Sequence, residues 1–145
     1  MISVHNYQNK ILFSQKRLSL VKNLVLTALA EEHMRKTGEI GISIVTDPMI
    51  RKINKNYHAS DSATDCITFE YTNKGKDDIL MADIIVSADT AASNAIIYKT
   101  SPVFELLLYV VHGILHIAGY NDQNKEQREF MNKKALNILT RIKKS

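Results

Sequence analysis

The sequence is poor in several features that would point to particular classes of protein. It has one cysteine, Cys66, so no internal disulfide can form and a reducing compartment suits it. It has two prolines and five glycines, with no repeat or low-complexity tract. The longest apolar run, 106–111, is far shorter than the roughly 20 residues that a membrane span needs. The N-terminal segment does not resemble a secretory signal, because it lacks a charged stretch followed by an apolar core and a cleavage site. We therefore expect a cytoplasmic protein that uses no membrane.

What the chain does contain is an ordinary globular composition. Hydrophobic residues make up 45% and charged residues 23% of its 145 residues. This length predicts one domain, residues 1–145, able to bury about 68–70% of its unfolded surface. The net charge of +4 is compatible with a polyanionic partner such as RNA and does not by itself require one.

Hydrophobic periodicity and turn residues predict the element order β-α-β-α-β-β-α-α-α. Gly38 is expected to cap the first helix, and Asp47-Pro48 and Ser101-Pro102 are typical helix starts. The predicted strands are 2–7, 39–46, 64–71 and 80–87. The predicted helices are 15–36, 47–57, 88–99 and 124–143, with a further helix that begins at Ser101-Pro102 and carries His112 and His116. The last two strands are expected to pair antiparallel across a turn at 73–78. This order predicts an α/β fold, a single domain with a small, about four-stranded mixed sheet and helices packed on it.

The fourth predicted helix carries a candidate metal site. His112 and His116 stand four residues apart, so they share a helix face with Cβ atoms roughly 5–6 Å apart. Gly119 favours a helix stop that turns the chain back, and Asp122 then returns as a possible third ligand. Three ligands with a vacant fourth position are typical of catalytic zinc. A histidine pair alone would more often be two hydrogen-bonded core residues. Because this helix is apolar nearly all round, the site is predicted on a central buried helix.

The same spacing of histidines, glycine and a third ligand occurs in metzincin-type metalloproteases. Those enzymes have a glutamate directly after the first histidine as general base, and here that position is Gly113. The protease interpretation therefore lacks its chemistry.

Two blocks of the sequence resemble the YbeY family, the bacterial endoribonuclease and ribosomal RNA maturation factor. Residues 112–122, HGILHIAGYND, resemble the family signature H-G-x-L-H-x-x-G-Y-D-H. Residues 56–69, NYHASDSATDCITF, resemble a segment that reads Y-R-x-x-D-x-x-T-D, two aliphatic residues, Ser or Thr, and Phe. The blocks occur in the family's order, and the element order and chain length match as well.

The resemblance implies a metal-dependent enzyme that cleaves single-stranded RNA. It implies a role in 3′-end maturation of small-subunit (16S) ribosomal RNA and in ribosome quality control, with ribosomal RNA and the small ribosomal subunit as partners. The implied cofactor is one Zn²⁺ ion, although Ni²⁺ or another divalent ion would suit similar ligands. The oligomeric state is left open.

Two departures from the family pattern bear on the site. Asp122 stands where the family usually has its third histidine ligand, and a carboxylate binds zinc at about 2.0–2.2 Å. We therefore assign metal binding to His112, His116 and Asp122. His58 stands where the family usually has arginine, and it is a candidate catalytic residue, as a proton carrier or RNA contact. An imidazole exposed after a helix is an equal alternative.

Further residues are candidates for support of this site. Thr64 and Asp65 belong to the second block, although Thr-Asp before a strand is also common turn chemistry. Asp83 is a candidate hydrogen-bond acceptor for a ligand imidazole. The side chains predicted to hold the RNA backbone, or else to form solvated helix faces, are Arg51, Lys52, Lys55, Lys125 and Arg128.

Three classes of function follow from these observations. The first is a zinc-dependent endoribonuclease. The second is a ribosome-assembly or RNA-binding factor whose metal is structural, and the third is a different metal-dependent hydrolase on the same scaffold.

Overall fold

A computed structural model of the chain describes residues 1–32, 34, 37–58, 64–71 and 79–144, with the backbone alone at 37, 58, 143 and 144. The predicted order of elements is confirmed. The strands are β1 (Ile2–Asn6), β2 (Thr37–Val45), β3 (Cys66–Glu70) and β4 (Leu80–Ser87). The helices are α1 (Gln15–Glu31), α2 (Asp47–His58), α3 (Ala88–Tyr98), α4 (Pro102–Ile117) and α5 (Lys125–Lys144).

The strands form one four-stranded mixed sheet in the order β1-β2-β4-β3. β1, β2 and β4 run parallel, and β3 pairs antiparallel with β4, with Ile67 opposite Ile85. The predicted α/β class, the mixed sheet and the antiparallel pair are therefore confirmed. The turn predicted at 73–78 lies outside the described residues.

The sheet has two unlike faces because side chains alternate along each strand. Ile84 is fully buried on the face covered by α1 and α4, where the main core lies. On the other face Ile50 of α2 forms a smaller cluster with Val45 and Ile67. Asp83 points away from α4, so its predicted contact with a ligand imidazole is wrong. Its carboxylate instead lies against Gly41 and the Tyr71 hydroxyl.

Gly38 is not the cap of the first helix. α1 ends at Glu31, and the next backbone N–H donates to the carbonyl of Ala28. Gly38 lies inside β2, where a side chain would collide with Ile79. The glycine therefore permits a close approach between neighbouring strands instead of a left-handed helix end.

α4 occupies the interior, as its apolar sequence predicts. The Ser101 hydroxyl accepts from the Phe104 N–H at 3.1 Å, and Pro102 takes the first turn, where its missing N–H has no cost. Nine of its residues are buried, and it contacts α1, α3, α5 and the sheet. In the described part of the chain no single helix has the length and apolarity to cross a membrane. α3 and α4 together have the necessary length and apolarity, but the two helices are bent by 113° relative to each other.

Candidate metal centre

His112 and His116 lie on the face of α4 that borders two surface cavities. The Nε2 atom of His112 is buried and has no hydrogen-bond partner among the described residues. Burial lowers the pKa of His112, which outweighs the opposing attraction of Asp65. The ring is therefore held neutral, the form in which imidazole binds a metal.

The chain turns back after α4 as the sequence predicts. Gly119 has φ of +107°, a conformation that other residues rarely adopt. Its N–H donates to the His116 carbonyl at 3.0 Å, and the Tyr120 N–H donates to the Leu115 carbonyl at 3.0 Å. This turn brings the Asp122 carboxylate to 3.4 Å from Nε2 of His116.

The segment after the turn is anchored to α5 through Tyr120. Lys134 donates to the Tyr120 hydroxyl at 2.7 Å, and its Nζ lies 4.8 Å from the centre of that ring. The same ammonium is 3.2 Å from a carboxylate oxygen of Glu32, and these contacts raise its pKa, the Tyr120 hydrogen bond most. Arg128 adds a contact of 3.4 Å to the Asp122 carbonyl.

The donor atoms suit a divalent ion in their chemistry. Ligands bound tetrahedrally to zinc at about 2.0–2.2 Å are separated from one another by about 3.3–3.6 Å. The 3.4 Å between His116 Nε2 and Asp122 Oδ2 matches that separation. Within the described residues, no three His, Cys, Asp or Glu side chains already form a complete metal-binding group. Binding therefore requires side-chain rotation, which the exposed Asp122 permits.

Asp122 stands between the two cavities. One, of about 340 Å³, is lined by His112 and Asp122 together with Asp65, Arg128 and Asn132. The other, of about 390 Å³, is lined by His116 and Asp122, by Asn54 of α2, by Thr64, which precedes β3, and by the β3 residues Cys66, Ile67 and Thr68. Burial raises the pKa of the Cys66 thiol, so this cysteine is protonated at neutral pH.

The structure therefore brings some of the predicted supporting residues to the site. Thr64 donates to Asp65 at 3.3 Å, and both line the cavities. Arg128 also lines a cavity, whereas Lys125 lies 3.9 Å from Glu129 along α5. The three α2 residues predicted to hold RNA, Arg51, Lys52 and Lys55, are exposed. His58 ends α2, and because its side chain lies outside the described part, its catalytic role stays a prediction.

Position 113 faces the sheet and not the cavities. A Cβ atom there would lie 2.7 Å from Cγ2 of Ile84. A glutamate at this position would therefore have no room, and its carboxylate would be buried in the core. The structure therefore has no room for the metzincin general base at position 113.

Known proteins provide an independent comparison. The sequence profile of a family described as Endoribonuclease YbeY matches residues 3–143. The chain belongs to the endoribonuclease YbeY family. The family and the enzyme class predicted from the two sequence blocks are thus confirmed.

Several relatives named Endoribonuclease YbeY match most of the chain. The Bacillus velezensis protein is 34% identical over 87% of this chain and 86% of its own length. The Parabacteroides distasonis protein is 38% identical over 79% of this chain and 80% of its own. The solution structure of TM1509 from Thermotoga maritima superposes with a TM-score of 0.61 at 27% identity, covering 95% of this chain and 88% of that one.

Sequence reasoning missed three polar residues near His112. They are Glu105, Tyr109 and Asn132, which line a cavity with it. Glu105 carried a signal, because it is the one acidic residue of the apolar helix α4. Asn132 carried none, because it lies among many polar residues of α5.

Proposed function

We propose that this member of the YbeY family is a zinc-dependent, single-strand-specific endoribonuclease. We further propose that it matures the 3′ end of small-subunit ribosomal RNA and serves ribosome quality control in the cytoplasm. The observation that carries the proposal is the approach of Asp122 to His116 beside the unpartnered Nε2 of His112, in a chain of this family.

The residues around the site have separable roles in such a reaction. His112, His116 and Asp122 would hold the ion, and when bound it would polarise a phosphoryl oxygen or lower the pKa of a bound water. Arg128 lies in the same cavity and is placed to attract the phosphate backbone. Asp65, beside His112, is an acceptor for a proton or for a hydrogen bond from the substrate.

The function is tested with the purified protein and labelled RNA. We expect it to cleave an unstructured oligoribonucleotide and to spare a duplex of the same sequence. Chelation is expected to abolish cleavage, and added Zn²⁺ to restore it. Elemental analysis of untreated protein identifies the resident ion.

Two results would contradict the proposal. Full cleavage in the presence of chelator would exclude metal dependence. Binding of single-stranded RNA that survives chelation, without cleavage under any metal, would favour the ribosome-assembly alternative.

The assignment of Asp122 gives a specific prediction. Asp122→Ala is expected to weaken zinc binding by on the order of a hundredfold, because a ligand is removed. Asp122→His is expected to bind zinc within about tenfold of wild type, because imidazole replaces carboxylate as a ligand. Competition with a chromogenic chelator measures both affinities.

Asp83→Asn is the matched control for an altered carboxylate, since Asp83 lies on the opposite face of the sheet. It is expected to leave zinc affinity unchanged. Unchanged affinity in Asp122→Ala, or loss of zinc from folded Asp122→His, would remove Asp122 from the ligand set.

A further inference from the structure

A third cavity, of about 500 Å³, extends along α4 from the candidate metal centre toward the beginning of the helix. His112 and Asp65 border one part of it, and Glu105 and Tyr109 line it further along α4. Its volume is within the range of small-molecule binding sites, about 300–1,000 Å³. The family comparison and the metal centre leave this cavity without a role.

Glu105 is a buried carboxylate with unused hydrogen-bonding capacity. Its residue is 3% exposed. Thr100 donates to Oε2 at 2.7 Å, but within the described part of the chain Oε1 has only a long contact of 3.4 Å from the Tyr109 hydroxyl. Within the described residues no lysine, arginine or histidine forms an ion pair with it. A carboxylate accepts about four hydrogen bonds, so further donors would be favourable here.

Tyr109 fills only part of this capacity. Its hydroxyl oxygen accepts from the Asn94 side-chain amide at 2.8 Å, and its proton is directed to Oε1 of Glu105 over the long distance of 3.4 Å. Burial raises the pKa of Tyr109, so the hydroxyl stays protonated. Because this single long hydrogen bond uses little of its capacity, Oε1 can still accept from a ligand that enters the cavity.

The chemistry of the walls identifies the kind of ligand. Glu105 and Asp65 are both acidic and would repel a phosphate group. Phe104 and Tyr98 also line the cavity and offer aromatic faces on which a base can stack. The walls thus favour a nucleobase that presents N–H groups to a carboxylate.

Guanine matches a carboxylate better than the other RNA bases. Its N1–H and N2–H₂ groups are adjacent donors that can meet both oxygens. Adenine and cytosine place an acceptor nitrogen beside their amino group, and uracil flanks its single N–H with carbonyls. The acceptors on those bases would face the negative charge of Glu105.

We propose that this cavity binds a guanine base of the RNA substrate, with Glu105 as the specificity-determining residue. This inference rests on the proposed nuclease function for its substrate class. Glu105 precedes His112 by seven residues, about 10.5 Å along the helix axis. The bound guanine therefore belongs to a nucleotide close to the cleaved bond.

Binding of single nucleotides tests the cavity without cleavage. The purified full-length protein, in chelator, is titrated with GMP, AMP, CMP and UMP and followed by NMR shifts. We expect GMP to bind about tenfold more tightly than the others, as for a good bidentate contact to a base. Glu105→Gln is expected to remove this preference, because the amide replaces one acceptor with a donor.

Two further variants make the result specific. Tyr98→Ala alters an exposed residue at the cavity and is expected to weaken GMP binding without unfolding the protein. Glu126→Gln, an exposed change on α5, is expected to bind GMP like wild type. Equal binding of all four nucleotides by wild type, or a GMP preference that persists in folded Glu105→Gln, would overturn the inference.

Cleavage of a randomised single-stranded oligonucleotide provides a second measurement. We expect wild-type products to show guanine at a fixed distance from the cut, and Glu105→Gln products to lose it. Cleavage without any such preference would overturn the guanine site and leave the proposed function intact. Selective, Glu105-dependent GMP binding without cleavage would support the site and count against the nuclease.

Discussion

Replacing His116 with alanine is expected to abolish RNA cleavage and metal binding together, each by a hundredfold or more. Removing a group that only supports a ligand already costs about 10–100-fold in metal affinity or activity. His116 is placed as a ligand itself, with Nε2 at 3.4 Å from Asp122. Because its side chain is partly exposed, the smaller residue should leave the fold intact. Zinc content and the cleavage rate of a labelled single-stranded RNA measure the two losses.

The control for this variant is another histidine. His5 is exposed on β1 and stacks on Tyr7, with ring centres 6.1 Å apart. His5→Ala should therefore keep zinc and activity. Full cleavage by His116→Ala would mean that the nuclease activity comes from another protein in the preparation, and the proposed function would fall.

Gly113→Val is expected to lower the free energy of unfolding by about 1–3 kcal/mol, the usual cost of overpacking a core. A Cβ atom at this position would lie 2.7, 3.1 and 3.2 Å from three carbon atoms of Ile84. Relief of the collision would move α4 away from the sheet and shift His112, the preceding residue. We therefore expect weaker zinc binding together with lower stability, measured by urea unfolding and chelator competition.

A double-mutant cycle isolates this contact. Ile84→Ala alone is expected to cost about 2–5 kcal/mol, because it leaves a cavity in the core. Combined with Gly113→Val, the new methyl groups partly fill that cavity, so the total loss should be smaller than the sum. Additivity within about 0.5 kcal/mol would show that the two positions do not interact.

Much of the fold could be predicted because local signals agreed with the tertiary structure. β4 has the predicted bounds, since its alternation reflects one buried face. α5 begins next to the predicted position 124, and the Asn124 side chain there accepts from the Gln127 N–H at 2.8 Å. The two histidines and Gly119 were informative because their spacing in sequence fixes their positions on and after a single helix.

What could not be predicted depends on contacts between distant segments. A glycine occurs both at the end of a helix and where two strands approach closely. The role of Gly38 is decided by the neighbouring Ile79, which the local sequence does not reveal. The predicted support by Asp83 failed because a strand's polar residue can face either side of the sheet. The role of Glu105 depends on its hydrogen bonds with Thr100 and Tyr109 and on the bond from Asn94 to Tyr109, which the sequence alone does not show.

The two outer strands bear on how the protein behaves among other copies of itself. β1 and β3, at the margins of the described sheet, are each five residues long. An edge strand exposes unpaired peptide groups that can pair with a strand of another molecule, and a short edge strand exposes few of them. The central strands β2 and β4, with nine and eight residues, are shielded on both sides. The longest aggregation-competent segments are thus enclosed within the molecule once it has folded.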